Sequence, residues 1–251
     1  MLASAVSYLR MFETARQPLV YAAPHIGFTL SVDQDQFLSV AKVRALRRLW
    51  ARLQEACSIP NTTANIHAET SFRMMTAMDP ETNILRTTIA CFAAASGGAD
   101  SISILPHTIA HGLPAGFARR VARNAQLIMA HESHIDHVAD PAYGSGAVEA
   151  LTAELCEMAW VELQTIEAEG GVLSSLRDGH IQQRVQAAAA RRHATYQAGE
   201  RTIIGTTLYP SKSERPVETL AAERRPAFTD GVAVCEPLFP VRIDQSIGAA
   251  S

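Results

Sequence analysis

Two different spacings of apolar side chains alternate along the first half of the chain. Over 36–57 apolar residues recur every three or four positions, with Leu46, Leu49 and Leu53 on one side, and this spacing predicts an amphipathic helix. The stretch HIGFTLSV over 25–32 instead alternates and is rich in apolar and β-branched residues, which predicts a strand. The pattern therefore predicts a mixed α/β fold.

A strand followed by a helix is predicted three times. The predicted elements are helices over 2–15, 36–57, 83–96 and 115–132 and strands over 25–32, 63–70 and 101–105. Successive strands start roughly 38 residues apart, which is enough chain for a strand, a helix and two loops. Strands that are separated by helices usually pair in parallel, so we expect a parallel sheet with helices packed against it.

The pattern changes after Pro141. Helices are predicted over 146–169 and about 180–198, and the chain from 200 onward has several prolines and little periodicity. Three strands cannot close a (βα)8 TIM barrel, which needs eight. We therefore expect an α/β fold that corresponds to the C-terminal part of such a barrel, with the other strands supplied from elsewhere. The predicted units are a partial barrel over 1–139, a helical post-barrel segment over 140–220 and a loop-rich tail over 221–251.

Charge and composition argue against several classes of function. The net charge is −3 and the basic residues are spread along helices, so nothing indicates nucleic-acid binding. No apolar run reaches the ~20 residues that a membrane-spanning helix needs. The four cysteines follow no metal-binding spacing, which is typical of free thiols in a reducing cytoplasm. Four arginines of the 36–57 helix fall outside its apolar stripe and are expected to form a solvated face: Arg44, Arg47, Arg48 and Arg52.

One cluster of candidate metal ligands, HESHIDHVADP over 131–141, contains three histidines and two aspartates. A zinc site of the HExxH type needs its histidines four residues apart on one helical face. Here His131, His134 and His137 follow each other at three-residue steps and the helix is predicted to end near Ser133, so the three imidazoles should point apart. We predict no metal site. A metal-dependent hydrolase that uses these histidines remains the alternative from a different functional class.

Five longer stretches together resemble one family. They are DQFLSVAKVRALRRLWARL (35–53), HAETSFRMMTAMDPETNILRTTIACFAAASGGADSI (67–102), GLPAGFARRVARNAQLIMAHES (112–133), VADPAYGSGAVEALTAELCEMAW (138–160) and EAEGGV (167–172). In this order they resemble the methylmalonyl-CoA mutase family of adenosylcobalamin-dependent acyl-CoA mutases. Members have a (βα)8 barrel followed by a linker and a cobalamin-binding domain. The resemblance implies that this chain holds the last three barrel strands and the linker.

The resemblance also distinguishes two kinds of family member. Catalytic chains carry an arginine and a serine for the CoA phosphates where this chain has Asn65 and Ala68. A carboxamide cannot replace the charge of a guanidinium group on phosphate. The substrate-facing histidine and asparagine of the last strand are Ser103 and Leu105 here. These changes imply the small, non-catalytic subunit, without catalytic residues of its own. The alternative is a structural or regulatory remnant that only binds a partner subunit.

Two groups of candidate site residues follow from the resemblance. The residues expected near the substrate lie at the end of the second strand: His67, Glu69, Thr70 and Ser71. The residues expected on the cofactor face lie in RNAQLIMAHES: Asn124, Gln126 and Glu132. Packing or helix capping is the alternative role of each. The implied ligands are an acyl-CoA and adenosylcobalamin, held in a complex with a large catalytic subunit or the missing barrel half, and the chain alone is expected to bind no cofactor.

Other motifs are assigned structural roles. Asp178-Gly179-His180 begins like the D-x-H-x-x-G motif whose histidine binds cobalt in the family, but Gln183 stands where that motif needs glycine, and the surroundings predict the start of a helix. Structural roles are expected for Asp79, Asn83 and Arg86, and Asp79 or Thr82 can cap the 83–96 helix. Asp140-Pro141 with Gly144 and Ser145 resembles a DP-x-x-GS loop of the family, and the alternative is a turn that caps the 146–169 helix.

Overall fold

A parallel three-stranded sheet lies at the centre of the structure, a computed structural model that describes residues 1–211, 213, 215–222 and 235–248. The strands are β1 (Gly27–Val32), β2 (Asn65–Thr70) and β3 (Ser101–Ser103), paired in the order β1-β2-β3. Both pairs are parallel, which confirms the predicted arrangement. The third strand was predicted to extend to position 105 but ends at Ser103, and the amide of Leu105 donates to the Thr70 hydroxyl (2.8 Å) instead of pairing in the sheet.

The six predicted helices lie close to their predicted positions, whereas three short helices over 19–22, 172–177 and 243–248 were not predicted. The helices are α1 (Leu2–Thr14), α2 (Leu19–Ala22), α3 (Gln36–Ala56), α4 (Thr82–Ser96), α5 (Gly116–His131), α6 (Gly146–Ala168), α7 (Val172–Arg177), α8 (His180–Gln197) and α9 (Ile243–Gly248). Single turns of 3-10 helix occur at Ala23–His25, Phe72–Met74 and Ile135–His137. An antiparallel pair of two-residue strands, β4 (Leu113–Pro114) and β5 (Thr219–Leu220), was not predicted. Such short strands are too brief to show a periodic pattern.

One face of the sheet is apolar and packs against α3 and α4. Its buried residues are Phe28, Leu30, Val32, Ile66 and Ala68. Trp50 of α3 is fully buried, and its ring meets the Phe28 ring edge-on with 5.2 Å between centroids. Gly97 allows the end of α4 to approach α3 closely, since a Cβ there would lie 3.0 Å from both the Val40 carbonyl oxygen and the Val43 Cβ. The sheet and these two helices therefore form one packed unit.

Helix α6 covers the arginine-bearing side of α3. Arg44 is only 8% exposed and binds the carboxylates of Asp140 and Glu149. Arg48 pairs with the second oxygen of Glu149 at 2.5 Å. The prediction of a solvated face is therefore wrong for Arg44, because α6 packs there and carboxylates in and before this helix bind the guanidinium group. The periodicity of α3 could not show that a second helix would cover this side.

The other arginines of α3 are also engaged. Arg47 donates to the carbonyl of Ala64 (2.7 Å) and to the carboxylate of Asp100 (2.9 Å), so the predicted solvated position is wrong for it too. Arg52 stays exposed but lies over the ring of Trp160 of α6, 4.1 Å from its centroid. Helix α3 thus connects the sheet region to α6.

A group of ion pairs joins α6 to α8. Arg184 donates to Glu162 (2.7 Å) and to Glu169 (2.6 Å), and Ser175 donates to the second oxygen of Glu169 (2.5 Å). The hydrogen bonds from Arg184 and then from Ser175 hold the pKa of Glu169 down, at about 2. The end of α6 and the start of α8 are therefore tied together by charge.

The predicted tail over 221–251 lies partly outside the described residues, at 223–234 and 249–251. In its described part, α9 packs against α8, and Arg242 pairs with Asp244 (2.9 Å) and donates to the carbonyl of Ala110 (3.2 Å). Among the described helices, none combines the length and the apolarity that crossing a bilayer requires. The division of the chain near 139 and 220 stays a prediction.

Candidate functional site

The face of the sheet that points away from α3 and α4 is polar. Alternate residues of a strand point to opposite faces, so the residues between the buried ones share this side. They are Gly27, Thr29, Ser31, Asn65, His67, Glu69, Ser101 and Ser103, all exposed or half-buried, and we call them the open face. None of them is a lysine or an arginine.

The strand register aligns the open-face residues in rows. Thr29, His67 and Ser101 are neighbours in one row, and Nδ1 of His67 lies 2.8 Å from the Ser101 hydroxyl. Glu69 lies between two serines in the next row. This surface can form hydrogen bonds with a polar ligand or with polar side chains that further strands would bring.

The four candidates for substrate contact are divided between two environments. His67 and Glu69 belong to the open face. Thr70 and Ser71 are buried, and both connect the carboxyl ends of strands. The Thr70 hydroxyl accepts from the Leu105 amide (2.8 Å), and the Ser71 amide donates to the Val32 carbonyl (2.7 Å). The structure therefore brings only the first two candidates to one surface.

The four positions where catalytic chains carry ligand-holding residues do not all lie on the open face. Asn65 and Ser103 lie on the open face. Ala68 is 0% exposed and faces the helix layer, so a side chain at this position points away from any ligand on the open face. Leu105 follows β3 and is half-buried. Asn65 and Ala68 therefore lie on opposite faces of the sheet.

A buried polar network lies beyond the carboxyl ends of β2 and β3. Asn83 is 0% exposed, and its Oδ1 accepts from the Thr76 amide (3.0 Å) and from Nη1 of Arg86 (2.7 Å). Its Nδ2 donates to the carbonyls of Thr76 (2.8 Å) and His107 (3.0 Å). Arg86 also donates to the Ile204 carbonyl (2.6 Å). The structural role predicted for Asn83 and Arg86 is confirmed.

The predicted capping bonds are wrong. Helix α4 has Glu81 at its N-cap position without a side-chain cap bond, and the Thr82 hydroxyl donates to the Asp79 carboxylate instead. Helix α6 has Ser145 at its N-cap position, again without a side-chain bond. Asp140 binds the buried arginine of α3 and accepts from the Ala142 amide (3.2 Å), so the loop before α6 is fixed by a long-range ion pair.

The cofactor-face candidates are placed on or just after α5. Asn124 and Gln126 are half-buried in the helix, and Glu132 is exposed directly after its last residue. Residues two apart on a helix point in different directions, so Asn124 and Gln126 do not share one surface. Their role on a cofactor face stays a prediction.

The histidines offer little to a metal. His131, His134 and His137 are exposed, and the rings of His134 and His137 stack with centroids 4.7 Å apart, so the expectation that all three point apart is wrong for this pair. Within the described ranges, no three His, Cys, Asp or Glu side chains gather as a metal site. His180 is exposed as the first residue of α8, which confirms the predicted helix start and does not fit a cobalt ligand in a loop after a strand.

Comparison with known proteins identifies the family of this chain. The model of the methylmalonyl-CoA mutase family matches residues 1–230. The methylmalonyl-CoA mutase small subunit of Streptomyces virginiae is 42% identical over 226 residues, which are 90% of this chain and 37% of that protein. The chain belongs to the methylmalonyl-CoA mutase family.

Both kinds of mutase subunit are similar to this member of the family. The small subunit of Propionibacterium freudenreichii subsp. shermanii is 37% identical over 90% of this chain and 36% of its own length. The large subunit of the same organism is 32% identical over 99% of this chain and 35% of its own length. The chain therefore spans about a third of the length of these mutase subunits, and the predicted family is confirmed.

Proposed function

We propose that this chain is a component of a methylmalonyl-CoA mutase-like isomerase, of the small-subunit type, which supports a catalytic partner. The observation that carries the proposal is a parallel sheet with a polar open face and two edges that pair with no further strand in the described part of the chain. The family and the identity to two small subunits support it.

The sheet is physically incomplete. Parallel sheets are normally covered on both faces, and unpaired strand edges readily accept further strands. As far as the structure describes the chain, β1 and β3 each pair only with β2. Further barrel strands would pair with both edges and turn the open face into the barrel interior. These strands come from another part of the assembly, either the missing barrel half or the large subunit.

A supporting role suits the chemistry of the open face. Its residues include no cation to hold the CoA phosphates, which guanidinium groups bind best. A carbon-skeleton rearrangement also needs a site that orients the acyl-CoA and keeps water out, and adenosylcobalamin supplies the radical chemistry when it is bound. We therefore assign the acyl-CoA and the cofactor chiefly to the partner. His67 and Glu69 line the substrate side of the completed barrel. Asn124 and Gln126 point in different directions on α5, so at most one of them lies on the cofactor side together with Glu132.

We also propose that the assembly is a heterodimer in the cytoplasm. The subunit names of the relatives support the pairing with a large subunit. The cytoplasmic location is supported by the four free thiols, two of which are exposed, Cys57 and Cys235. The alternative is a structural or regulatory remnant that binds a partner without affecting turnover. The following experiment distinguishes it from a supporting subunit.

The decisive experiment is co-expression with the large mutase subunit of the same organism. The proposal predicts a stable complex and faster conversion of methylmalonyl-CoA to succinyl-CoA than by the large subunit alone. Thr29→Arg places a charged side chain on the open face, and we expect it to lower the yield of complex at least about tenfold, since an unpaired buried charge is costly. Thr165→Arg, at an exposed position of α6, is the matched control and should leave the yield unchanged.

The outcomes separate the hypotheses. A complex with unchanged turnover supports the remnant alternative. The absence of any complex, or equal effects of the two arginine variants, contradicts the proposal.

A further inference from the structure

An arginine-rich cleft of about 330 Å³ lies at the carboxyl ends of β1 and β2. The loop after β1 and the turn after β2 form one side, and α8 with the residues after it forms the other. The four arginines that line it come from three separate segments: Arg73, Arg191, Arg192 and Arg201. Carboxyl ends of parallel strands are where α/β proteins usually bind ligands.

Most of the positive charge in this cleft is not neutralised by the protein. Arg73 pairs with Asp33 (2.7 Å). Asp35, the other acidic residue of the lining, accepts from the Leu38 amide at the start of α3. No carboxylate of the described residues lies within 4.0 Å of the remaining arginines, Arg191, Arg192 and Arg201. The lining is therefore cationic in a chain whose net charge is −3.

Arg192 is the most constrained of these cations. It is half-buried on α8, and burial lowers the pKa of its guanidinium group, as do the charges of Arg73 and Arg201, while the carboxylate of Asp33 acts in the opposite direction. Like charges that are held together away from bulk water destabilise each other. An anion between them would relieve both the repulsion and the lost hydration.

We propose that this cleft binds a phosphate-bearing small molecule. Guanidinium groups present pairs of parallel N–H donors that match two phosphate oxygens. The volume exceeds that of one phosphate and falls in the range of small-molecule sites, about 300–1,000 Å³. Leu38, Met74 and Ile243 also line the cleft and give an organic group an apolar wall. The proposal goes beyond the subunit role and does not depend on barrel completion.

The test is calorimetric titration of the full chain with inorganic pyrophosphate, inorganic phosphate and malonate at constant ionic strength. Constant ionic strength is needed because salt screens exposed charges. We expect one pyrophosphate site with tighter binding than malonate. The double variant Arg192→Gln, Arg201→Gln should weaken binding about tenfold or more, since each removes charge-assisted hydrogen bonds.

A second double variant provides the control. Arg120→Gln with Arg123→Gln makes the same change in charge at exposed positions of α5, outside the cleft, and should leave pyrophosphate binding unchanged. Urea unfolding midpoints check that each variant is folded. If the Arg192→Gln, Arg201→Gln variant does not fold, Arg201→Gln alone, at an exposed position, is titrated in its place.

Three results overturn the proposal: no pyrophosphate binding by the parent chain, malonate binding as tight as pyrophosphate binding, or equal weakening in both double variants. Because the titration involves neither the large subunit nor turnover, its failure leaves the proposed subunit role standing.

Discussion

Replacement of Asn83 tests the buried network that connects α4 to the loops after β2 and β3. Asn83→Ala leaves the amide and carbonyl of Thr76 and the carbonyl of His107 without the partners they have now. Each buried polar group without a partner costs about 1–3 kcal/mol, and a water that enters the space recovers part of it. We therefore expect a loss of about 3–5 kcal/mol, a large share of the ~5–15 kcal/mol that stabilises a typical domain.

Urea-induced unfolding followed by far-UV circular dichroism measures this change. Asn124→Ala is the matched control, because Asn124 is half-buried on α5 and its side chain has no hydrogen bond to the residues the structure describes. We expect it to change the free energy of unfolding by about 0.5 kcal/mol or less. Asn83→Asp keeps the accepting oxygen but loses the two donated bonds, so its loss should be intermediate. A loss below about 1 kcal/mol for Asn83→Ala would refute the network as an anchor of these loops.

Three further predictions concern packing, pH and thiol chemistry. Gly97→Ala should lower the free energy of unfolding by about 1–3 kcal/mol, since a Cβ would meet the Val40 carbonyl at 3.0 Å, and an unchanged urea midpoint would contradict it. The pKa of Glu169 is held at about 2, below its usual 4.5, so the ion pairs with Arg184 stabilise fully above about pH 4.5 and are lost as the pH falls toward 2. Glu169→Gln should therefore flatten the decrease in unfolding midpoint over this pH range, and a slope equal to that of the parent would show that the pairs do not contribute. Burial raises the pKa of Cys91 to about 11, so a thiol reagent at about pH 8 should label it only as fast as the chain unfolds; rapid labelling of the folded chain, read by mass spectrometry, would contradict its burial.

The alternation of polar and apolar residues was sufficient to predict the sheet. Strands predicted to start at 25, 63 and 101 start at Gly27, Asn65 and Ser101, because burial of one strand face fixes which residues alternate. The bounds of the six predicted helices agree within two residues. The pattern did not show that the opposite sheet face would be open, since polar residues at alternate positions are also typical of a solvated sheet.

Long-range contacts were beyond the reach of local patterns. Arg44 lies outside the apolar stripe of α3, yet it is buried and pairs with Asp140 and Glu149, about a hundred positions later in the chain. The cationic cleft combines residues from three segments, and no single stretch of sequence carries its signal. The family resemblance placed Thr70 and Ser71 near a ligand, but both are buried at the end of β2 and connect strand ends.

The candidate site was predictable only through the family resemblance. His67 and Glu69 have no local motif, and their position on a polar surface depends on strand register across three strands. The resemblance also supplied Asn65 and Ser103 as altered positions, and both do lie on the open face. The resemblance did not show that the side chain of Ala68 faces the helices and not the open face. The alternation of side chains along β2 sets this direction.

Hydrogen exchange of the chain, alone and in complex with the large mutase subunit, tests barrel completion most directly. The account predicts that amides at the outer edges of β1 and β3 exchange quickly in the chain alone and slowly in the complex, because new strands pair with them, while those shared with β2 change little. Protection confined to the helices, or edges that exchange equally fast in both states, would contradict the claim that this sheet is completed by strands from a partner.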